Sequence, residues 1–198
     1  MIIGITGGTG SGKSTLLQLI ADHGGTVLDC DAIYHKLLQT DKKLLNAIET
    51  RFPGTVENGN LNRKKLGTIV FADEDALQEL NSITHAAVKA EVLRQLDTKP
   101  ALAAIDAIGL FEGELAELCD VTVAVTAPAA DRIRRIMARD NISEEYAKNR
   151  IASQHEDGWF ASRCDYTLEN DGTSEDFHRK CLVFFHKSGI IKEKHEGE

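Results

Sequence analysis

Glycines, hydroxyl side chains and one lysine are concentrated near the start of the chain, in residues 4–15 (GITGGTGSGKST). The spacing Gly7-x-x-x-x-Gly12-Lys13-Ser14 fits a phosphate-binding loop, in which backbone N–H groups converge on phosphate oxygens. In such a loop the lysine reaches the β- and γ-phosphates, and the following hydroxyl is a ligand for Mg²⁺. The spacing therefore predicts a nucleoside triphosphate site.

This loop needs a strand before it and a helix after it, because the helix N-terminus adds partial positive charge to the anion site. Ile2, Ile3 and Ile5 form a short β-branched run that is typical of a strand. Apolar residues at 16, 17, 19 and 20 then recur at helical spacing until Gly24-Gly25 ends the segment. Both flanking elements are therefore expected.

Strand-like apolar runs alternate with helical patterns along the chain, which is the signature of a parallel sheet with crossover helices. The predicted strands are 2–6, 26–29, 102–106, 121–126 and 166–169. We expect an α/β chain with the three-layer P-loop NTPase fold and a five-stranded parallel sheet. One domain should span 1–198, with its core in 1–31 and 100–190.

A long helical stretch, about 32–97, separates the second and third predicted strands. It is interrupted at Phe52-Pro53-Gly54 and again around residues 57–60. One crossover helix does not need so many residues, so we interpret the stretch as a helical insert that binds the second substrate.

Carboxylates follow two of the predicted strands, at the sheet edge where ligands of open parallel sheets bind. Asp29 and Asp31 follow the second strand, and one of the two is expected to cap the next helix. Asp106 ends the third strand, where phosphate-loop enzymes place an aspartate for Mg²⁺, although a strand-end turn is equally consistent. Glu112 is a further carboxylate or a helix-starting residue.

Arginines cluster after the fourth predicted strand of an otherwise acidic chain, at positions 132, 134, 135, 139, 150 and 163. At least three of them should be ordinary solvated surface residues. A short polar turn at 138–145 separates two helical patterns, as expected of a mobile lid, about 139–163, that closes arginines over a triphosphate.

The overall composition narrows the possible functions. A net charge of −8 over 198 residues argues against a general nucleic-acid binder, which needs Lys and Arg to neutralise phosphates. The sequence shows neither a signal-peptide pattern nor an apolar run of membrane-spanning length, so a cytoplasmic protein without a membrane partner is expected. Four scattered cysteines without a C-x-x-C pair favour small buried residues over a zinc site. The sequence leaves the oligomeric state open.

Six stretches form a combined pattern that extends over nearly the whole chain. They are 6–15 (TGGTGSGKST), 27–31 (VLDCD), 62–71 (NRKKLGTIVF), 80–85 (LNSITH), 140–145 (DNISEE) and 165–173 (DYTLENDGT). Together they resemble the dephospho-CoA kinase family, which phosphorylates the ribose 3′-hydroxyl of dephospho-CoA to complete coenzyme A. The chain departs from the family's usual pattern at Ala86, where proline normally follows the histidine, and at 107–109, where another proline is missing.

The resemblance implies a role for each candidate residue, with ATP as the donor and Mg²⁺ as the cofactor. Asp31 is the implied general base, Lys13 and Arg139 are implied catalytic residues, and for His85 a buried, hydrogen-bonded role is an alternative. The implied ATP-binding residues are Gly10, Ser11, Gly12, Lys13, Ser14, Thr15, Arg139 and Asn170. The implied acceptor-binding residues are Asp29, Asp31, Arg63, His85, Asp106 and Glu112, and the implied metal ligands are Ser14 and Asp106.

Two other functions are consistent with the loop and the lid. One is a different small-molecule kinase, such as a nucleoside or nucleotide kinase, which would bind another acceptor. The other is a nucleotide-dependent regulatory ATPase, whose output is a change of shape. A switch GTPase is not supported, since the Asn-Lys-x-Asp motif that reads the base is missing from the sequence.

Overall fold

The computed structural model describes residues 1–190; the charged tail from Lys192 onward, expected to be frayed, lies outside them. In chain order the strands are β1 Ile2–Thr6, β2 Thr26–Asp29, β3 Val56–Glu57, β4 Asn60–Leu61, β5 Ala103–Asp106, β6 Val121–Thr126 and β7 Tyr166–Glu169. The helices are α1 Lys13–Asp22, α2 Cys30–Thr40, α3 Lys42–Arg51, α4 Arg63–Val70, α5 Glu74–Leu96, α6 Ala129–Asp140, α7 Glu144–Ala152, α8 Asp157–Ala161 and α9 Ser174–Lys187.

Five parallel strands form the central sheet in the order β2-β5-β1-β6-β7, which confirms the predicted α/β class. All five predicted strands are present, and the third begins one residue later than expected, at Ala103. β1 is buried from Ile3 to Thr6 because strands flank it on both sides and helices cover both faces. The continuous apolar sequence of β1 follows from this position.

The parallel register brings the carboxyl ends of the strands to one edge of the sheet. Ile5 pairs with Asp106 on one side and Val123 on the other, while Asp29 pairs with Asp106. The phosphate loop therefore starts beside both strand-end aspartates. On the far side, Thr126 pairs with Glu169.

Helices and a short hairpin occupy the stretch between β2 and β5. The antiparallel pair β3–β4 lies where the sequence indicated only a break. This part of the chain has its own apolar cluster, formed by residues such as Leu44, Ile48, Phe52 and Leu66. A second cluster packs α2 and α5 residues, among them Ile33 and Val92, against β2 and β5, so the insert is anchored to the sheet.

The prediction that the four cysteines are buried is only partly confirmed. Cys30 and Cys181 are buried, whereas Cys119 and Cys164 are half-buried, and all four are free thiols. Burial raises the pKa of the Cys30 thiol to about 12, so this residue is a neutral packing group although it lies between two aspartates. None of the helices within residues 1–190 is long and apolar enough to cross a membrane.

Candidate active site

The phosphate loop packs so closely against the rest of the chain that side chains would not fit at two of its glycines. Gly7 has φ +132°, and a Cβ there would lie 2.1 Å from the carbonyl oxygen of Val125 on β6. Gly12 has φ +106°, and its Cβ would lie 2.2 Å from the Asn170 side-chain nitrogen. Glycine is required at both positions because an L side chain would meet strain and collision together.

A cleft of about 890 Å³ lies over the loop and collects most of the candidate residues. Those lining it are Gly10, Gly12, Lys13, Ser14, Thr15, Asp29, Asp31, Asp106, Arg139 and Asn170. Ser11 is different, because it is fully buried and its hydroxyl oxygen has no hydrogen-bond partner. The cleft combines basic and acidic groups, as expected of a site that binds a polyanion and also accepts a proton.

Lys13 lies inside the cleft rather than in solvent. Its Nζ donates a hydrogen bond to the carbonyl oxygen of Gly7 at 2.7 Å. Burial lowers the pKa of the Lys13 ammonium, and the negative charge of Asp106 partly opposes this shift. Within residues 1–190 the ammonium forms no ion pair with a carboxylate, so it is available to a phosphate.

The carboxylates at the ends of β2 and β5 have different local roles. Asp29 caps α2, where its Oδ1 accepts a hydrogen bond from the Ala32 N–H at 2.9 Å, as the sequence predicted for one of the pair. Asp31 lies in the first turn of α2 and is exposed to the cleft. Asp106 is half-buried, and its Oδ1 is buried without a hydrogen-bond partner among residues 1–190.

Burial raises the pKa of the Asp106 carboxyl to about 6. The positive charge of Lys13 lowers this pKa, while the negative charges of Asp29 and Asp31 raise it. A carboxylate oxygen that is removed from water without gaining a hydrogen-bond donor is costly, because its lost hydration is not replaced. The carboxylate would be stabilised by a cation placed between it and its neighbours.

Arg139 is in the last turn of α6, next to the short turn at 141–143 that leads into α7. Its guanidinium forms a bidentate pair with Asp140, at 2.7 and 2.9 Å, and Arg150 binds the same carboxylate at 2.6 Å. Arg150 also lines the cleft and was not among the predicted site residues. Asn141 caps α6 in the left-handed conformation, at φ +51° and ψ +48°.

Three predicted acceptor residues lie outside the main cleft. Arg63 starts α4 and is 3.1 Å from His35 Nδ1. His85 on α5 and Glu112 line a separate cavity of about 510 Å³, together with Gly113 and Lys89. The structure therefore brings His85 and Glu112 together but groups neither of them with Asp31.

Residues behind the loop were missed by the sequence analysis. Arg132, one of six arginines of which at least three were expected to be solvated, is only 4% exposed, and its guanidinium reaches the loop at Thr9. Gln154 also binds Thr9. One signal for the arginines is visible in the sequence, because positions 132, 135 and 139 share one face of a helix.

Comparison with known proteins identifies the family to which a chain with this loop and sheet belongs. A sequence model of the dephospho-CoA kinase family matches residues 1–176. The chain belongs to this family. Members of the dephospho-CoA kinase family are phosphotransferases, so the chain is an enzyme, and the other two functions considered above are not favoured.

Individual relatives span the same length as the chain. A dephospho-CoA kinase of Bacillus cereus is 37% identical over 197 residues, which cover 96% of this chain and 98% of the relative. A crystal structure from Thermus thermophilus superimposes with a TM-score of 0.82 at 30% identity, covering 97% of this chain and 98% of the other. The dephospho-CoA kinase of Campylobacter jejuni gives a TM-score of 0.65 at 26% identity, with coverages of 96% and 98%.

The buried Asp106 predicts an unusual dependence of stability on pH. The pKa of this carboxyl is about 6 in the folded chain and 3.8 in its ordinary state, so folding favours the protonated form. The stabilisation is complete below pH 3.8 and is lost as the pH rises through 6. We expect Asp106→Asn to be more stable than the wild type at pH 7.5, by on the order of 2 to 3 kcal/mol, with the gain vanishing towards pH 4.

Urea unfolding in EDTA without nucleotide, repeated between pH 4 and 8, measures this effect. Asp97→Asn removes an equal charge from an exposed position and serves as the control. A stability difference between Asp106→Asn and the wild type that does not change with pH would contradict the prediction.

Proposed function

We propose that the chain transfers the γ-phosphoryl group of ATP to the ribose 3′-hydroxyl of dephospho-CoA, which yields coenzyme A and ADP. The observation that carries the proposal is the juxtaposition, in one cleft, of a phosphate loop with its lysine and an exposed carboxylate, Asp31. Membership of the dephospho-CoA kinase family identifies the acceptor class.

The loop and the basic residues around it bind the donor in this proposal. Free N–H groups of the loop and the N-terminus of α1 receive the phosphates, and Lys13 exchanges its hydrogen bond to Gly7 for one to the β- and γ-phosphates. Thr15 lies one residue further into α1 and also lines the cleft. The triphosphate then supplies a negatively charged partner in place of the neutral carbonyl group of Gly7.

The oxygens in the cleft fit Mg²⁺, which prefers hard oxygen ligands and keeps several waters. Ser14 and Asp106 are the residues we propose to hold it, because Asp106 Oδ1 is buried without a hydrogen-bond partner. Within residues 1–190 no cluster of three or more His, Cys, Asp or Glu that could hold a metal is found. When bound, Mg²⁺ neutralises charge on the phosphates.

Asp31 is the proposed general base. The acceptor oxygen attacks the γ-phosphorus, the bond to the β–γ bridging oxygen breaks, ADP leaves, and the hydroxyl proton passes to the Asp31 carboxylate. Asp31 is suited to this role because no other side chain within the described residues hydrogen-bonds to its carboxylate, whereas Asp29 is occupied with capping α2. Asp29 would position α2, and with it Asp31.

The helical stretch 32–97 is the proposed acceptor subdomain. Arg63 supplies an exposed positive charge, and His85 with Glu112 forms a second cavity beside α5. Dephospho-CoA is long enough to occupy two places, since its nucleotide and its pantetheine arm are separated by a diphosphate. We assign the ribose to the main cleft, beside Asp31, and a more distant part of the acceptor to Arg63, His85 and Glu112.

Residues 139–163 are the proposed lid. Arg139 and Arg150 are both held by Asp140, and they hold the pKa of that carboxyl below its ordinary value. A triphosphate offers more negative charge than one aspartate, so the arginines would turn from Asp140 towards it. Asn170 contributes by supporting the loop, through its bond to the Ser11 carbonyl oxygen at 2.8 Å.

ADP release tests the proposed function directly. The protein is incubated with ATP and Mg²⁺, and with dephospho-CoA, adenosine, AMP, CMP or no acceptor. Turnover that depends on dephospho-CoA is expected. Turnover with adenosine, AMP or CMP alone would identify another small-molecule kinase, and slow release that ignores every acceptor would identify a regulatory ATPase.

Asp31→Asn tests the general base. Asparagine is nearly isosteric with aspartate but cannot take the proton, so kcat with dephospho-CoA should fall by roughly 10² to 10⁴. The affinity for ATP, measured separately by calorimetry, should change by no more than a few fold.

Asp29→Asn is the matched control for this variant, because asparagine caps a helix as well as aspartate does. Asp29→Asn should lower kcat with dephospho-CoA less than Asp31→Asn does. If Asp29→Asn is inactive while Asp31→Asn turns over normally, the two roles are exchanged. Full activity in both variants would mean that neither carboxylate takes the proton.

Arg139→Ala tests the lid. We expect kcat to fall by roughly 10² or more, with a smaller loss of ATP affinity, because a charge on the transferring group matters most in the transition state. Steady-state kinetics and a direct ATP titration separate the two effects. Arg94→Ala, an exposed arginine paired with Glu91 on α5, is the control. A loss of ATP affinity with kcat unchanged would make Arg139 a ground-state binding residue only.

A further inference from the structure

Gln154, just after α7, forms a set of hydrogen bonds with the phosphate loop. Its Oε1 accepts from the Thr9 N–H at 2.8 Å and from Arg132 Nη2 at 3.3 Å, and its Nε2 donates to Thr9 Oγ1 at 2.7 Å. The orientation of the amide is fixed, since a backbone N–H and a guanidinium can only donate. One side chain therefore holds both the backbone and the hydroxyl of Thr9.

Arg132, on α6, completes the set from the other side. Its Nε donates to the Thr9 carbonyl oxygen at 3.0 Å, and its Nη1 pairs with Asp157 of α8 at 3.0 Å. A Cβ at Gly8 would lie 2.0 Å from Arg132 Nη2, so the loop backbone rests directly on the guanidinium. Because Arg132 is 4% exposed and Thr9 is 8% exposed, these bonds are nearly free of competition from water.

Further bonds hold the next two carbonyl groups of the loop. Arg135 Nη1 donates to the carbonyl oxygens of Gly10 and Ser11 at 3.2 and 3.3 Å, and the Asn170 amide also donates to the Ser11 oxygen. The oxygens of residues 9, 10 and 11 are thus all held by side chains.

The orientation of these peptide groups bears on phosphate binding. In a trans peptide the C=O and the following N–H point in opposite directions. When the Thr9 and Ser11 oxygens are fixed against Arg132 and Asn170, the N–H groups of Gly10 and Gly12 are turned the other way. Neither of these N–H groups has a hydrogen-bond partner within residues 1–190, which leaves them available to an anion.

We propose that Gln154 is a positioning residue: together with Arg132 it keeps the phosphate loop in its anion-binding form before nucleotide arrives, by fixing Thr9. Gln154 does not line the cleft, so it acts through the loop rather than on the phosphates. Gln154 lies within the proposed lid, two residues after α7, which carries Arg150, and it therefore ties the lid to the loop. The inference rests on the proposed use of this loop as the ATP site.

The test replaces Gln154 with methionine, which is similar in size but cannot hydrogen-bond. If the loop is in its anion-binding form for a smaller fraction of the time, the apparent Kd for the nucleotide rises in inverse proportion to that fraction. We expect roughly tenfold faster amide hydrogen exchange in residues 7–12 of the nucleotide-free protein, and a roughly tenfold higher Kd for MgATP. At saturating ATP and dephospho-CoA, kcat should stay within about threefold, because the same contacts serve ground and transition states.

Gln95→Met is the matched control. Gln95 is another half-buried glutamine with a side-chain hydrogen bond, to Glu91 at 2.9 Å, and it is on α5, away from the loop. It should leave loop exchange and MgATP affinity unchanged.

Gln154→Ala is the second variant, for use if Gln154→Met does not fold. The smaller alanine side chain lets water reach the Thr9 N–H, so this group is not left buried without a partner.

A purely structural role for Gln154 would give a different result. Melting temperature would fall, while loop exchange and the Kd for MgATP would match those of the wild type, and this outcome overturns the inference. If the wild-type protein itself does not bind MgATP, the proposed function fails, but the exchange measurement contains no nucleotide and still decides whether Gln154 orders the loop.

Discussion

The close contact between the phosphate loop and the elements behind it is the constraint on which the site depends. The loop leaves β1 at the centre of the sheet and passes against β6, the Arg132 side chain and Asn170, with no room for a side chain at Gly7, Gly8 or Gly12. Because the loop is pressed against these groups, its carbonyl oxygens have fixed donors behind them. The backbone N–H groups that remain can be presented to phosphate without a large ordering cost on binding.

The distribution of charge in the cleft follows from the sheet register. Pairing of Ile5 with Asp106, and of Asp106 with Asp29, brings two carboxylates to the sheet edge where the loop leaves β1, and the charge of Asp106 acts on Lys13. Burial shifts the pKa values of the lysine and the aspartate in opposite directions: it lowers the pKa of Lys13 and raises that of Asp106. Both shifts disfavour the charged forms of these groups, and a polyanion beside Lys13 and a cation beside Asp106 would favour them.

The arginines of α6 show how one helix can serve two purposes. Arg132 and Arg135 bind carbonyl oxygens of the loop, whereas Arg139, on the same face, lines the cleft without binding the loop. The first two therefore stabilise the loop, whereas the third is held outside it by Asp140. In the proposed function, Asp140, which holds Arg139 and Arg150 together, competes with the triphosphate for both guanidinium groups.

The sequence by itself determined the sheet strands, the phosphate loop and the pair of aspartates after β2. These features are local: a strand is visible as a short apolar run, a loop as a spacing of glycines, and a cap as an aspartate before a helix. Only the tertiary structure decided that Arg132 is buried, that Gln154 binds Thr9, and that His85 and Glu112 share a cavity apart from the cleft. Gln154 and Thr9 are 145 residues apart in sequence, and no local pattern distinguishes an arginine or glutamine that meets such a partner from one that meets water.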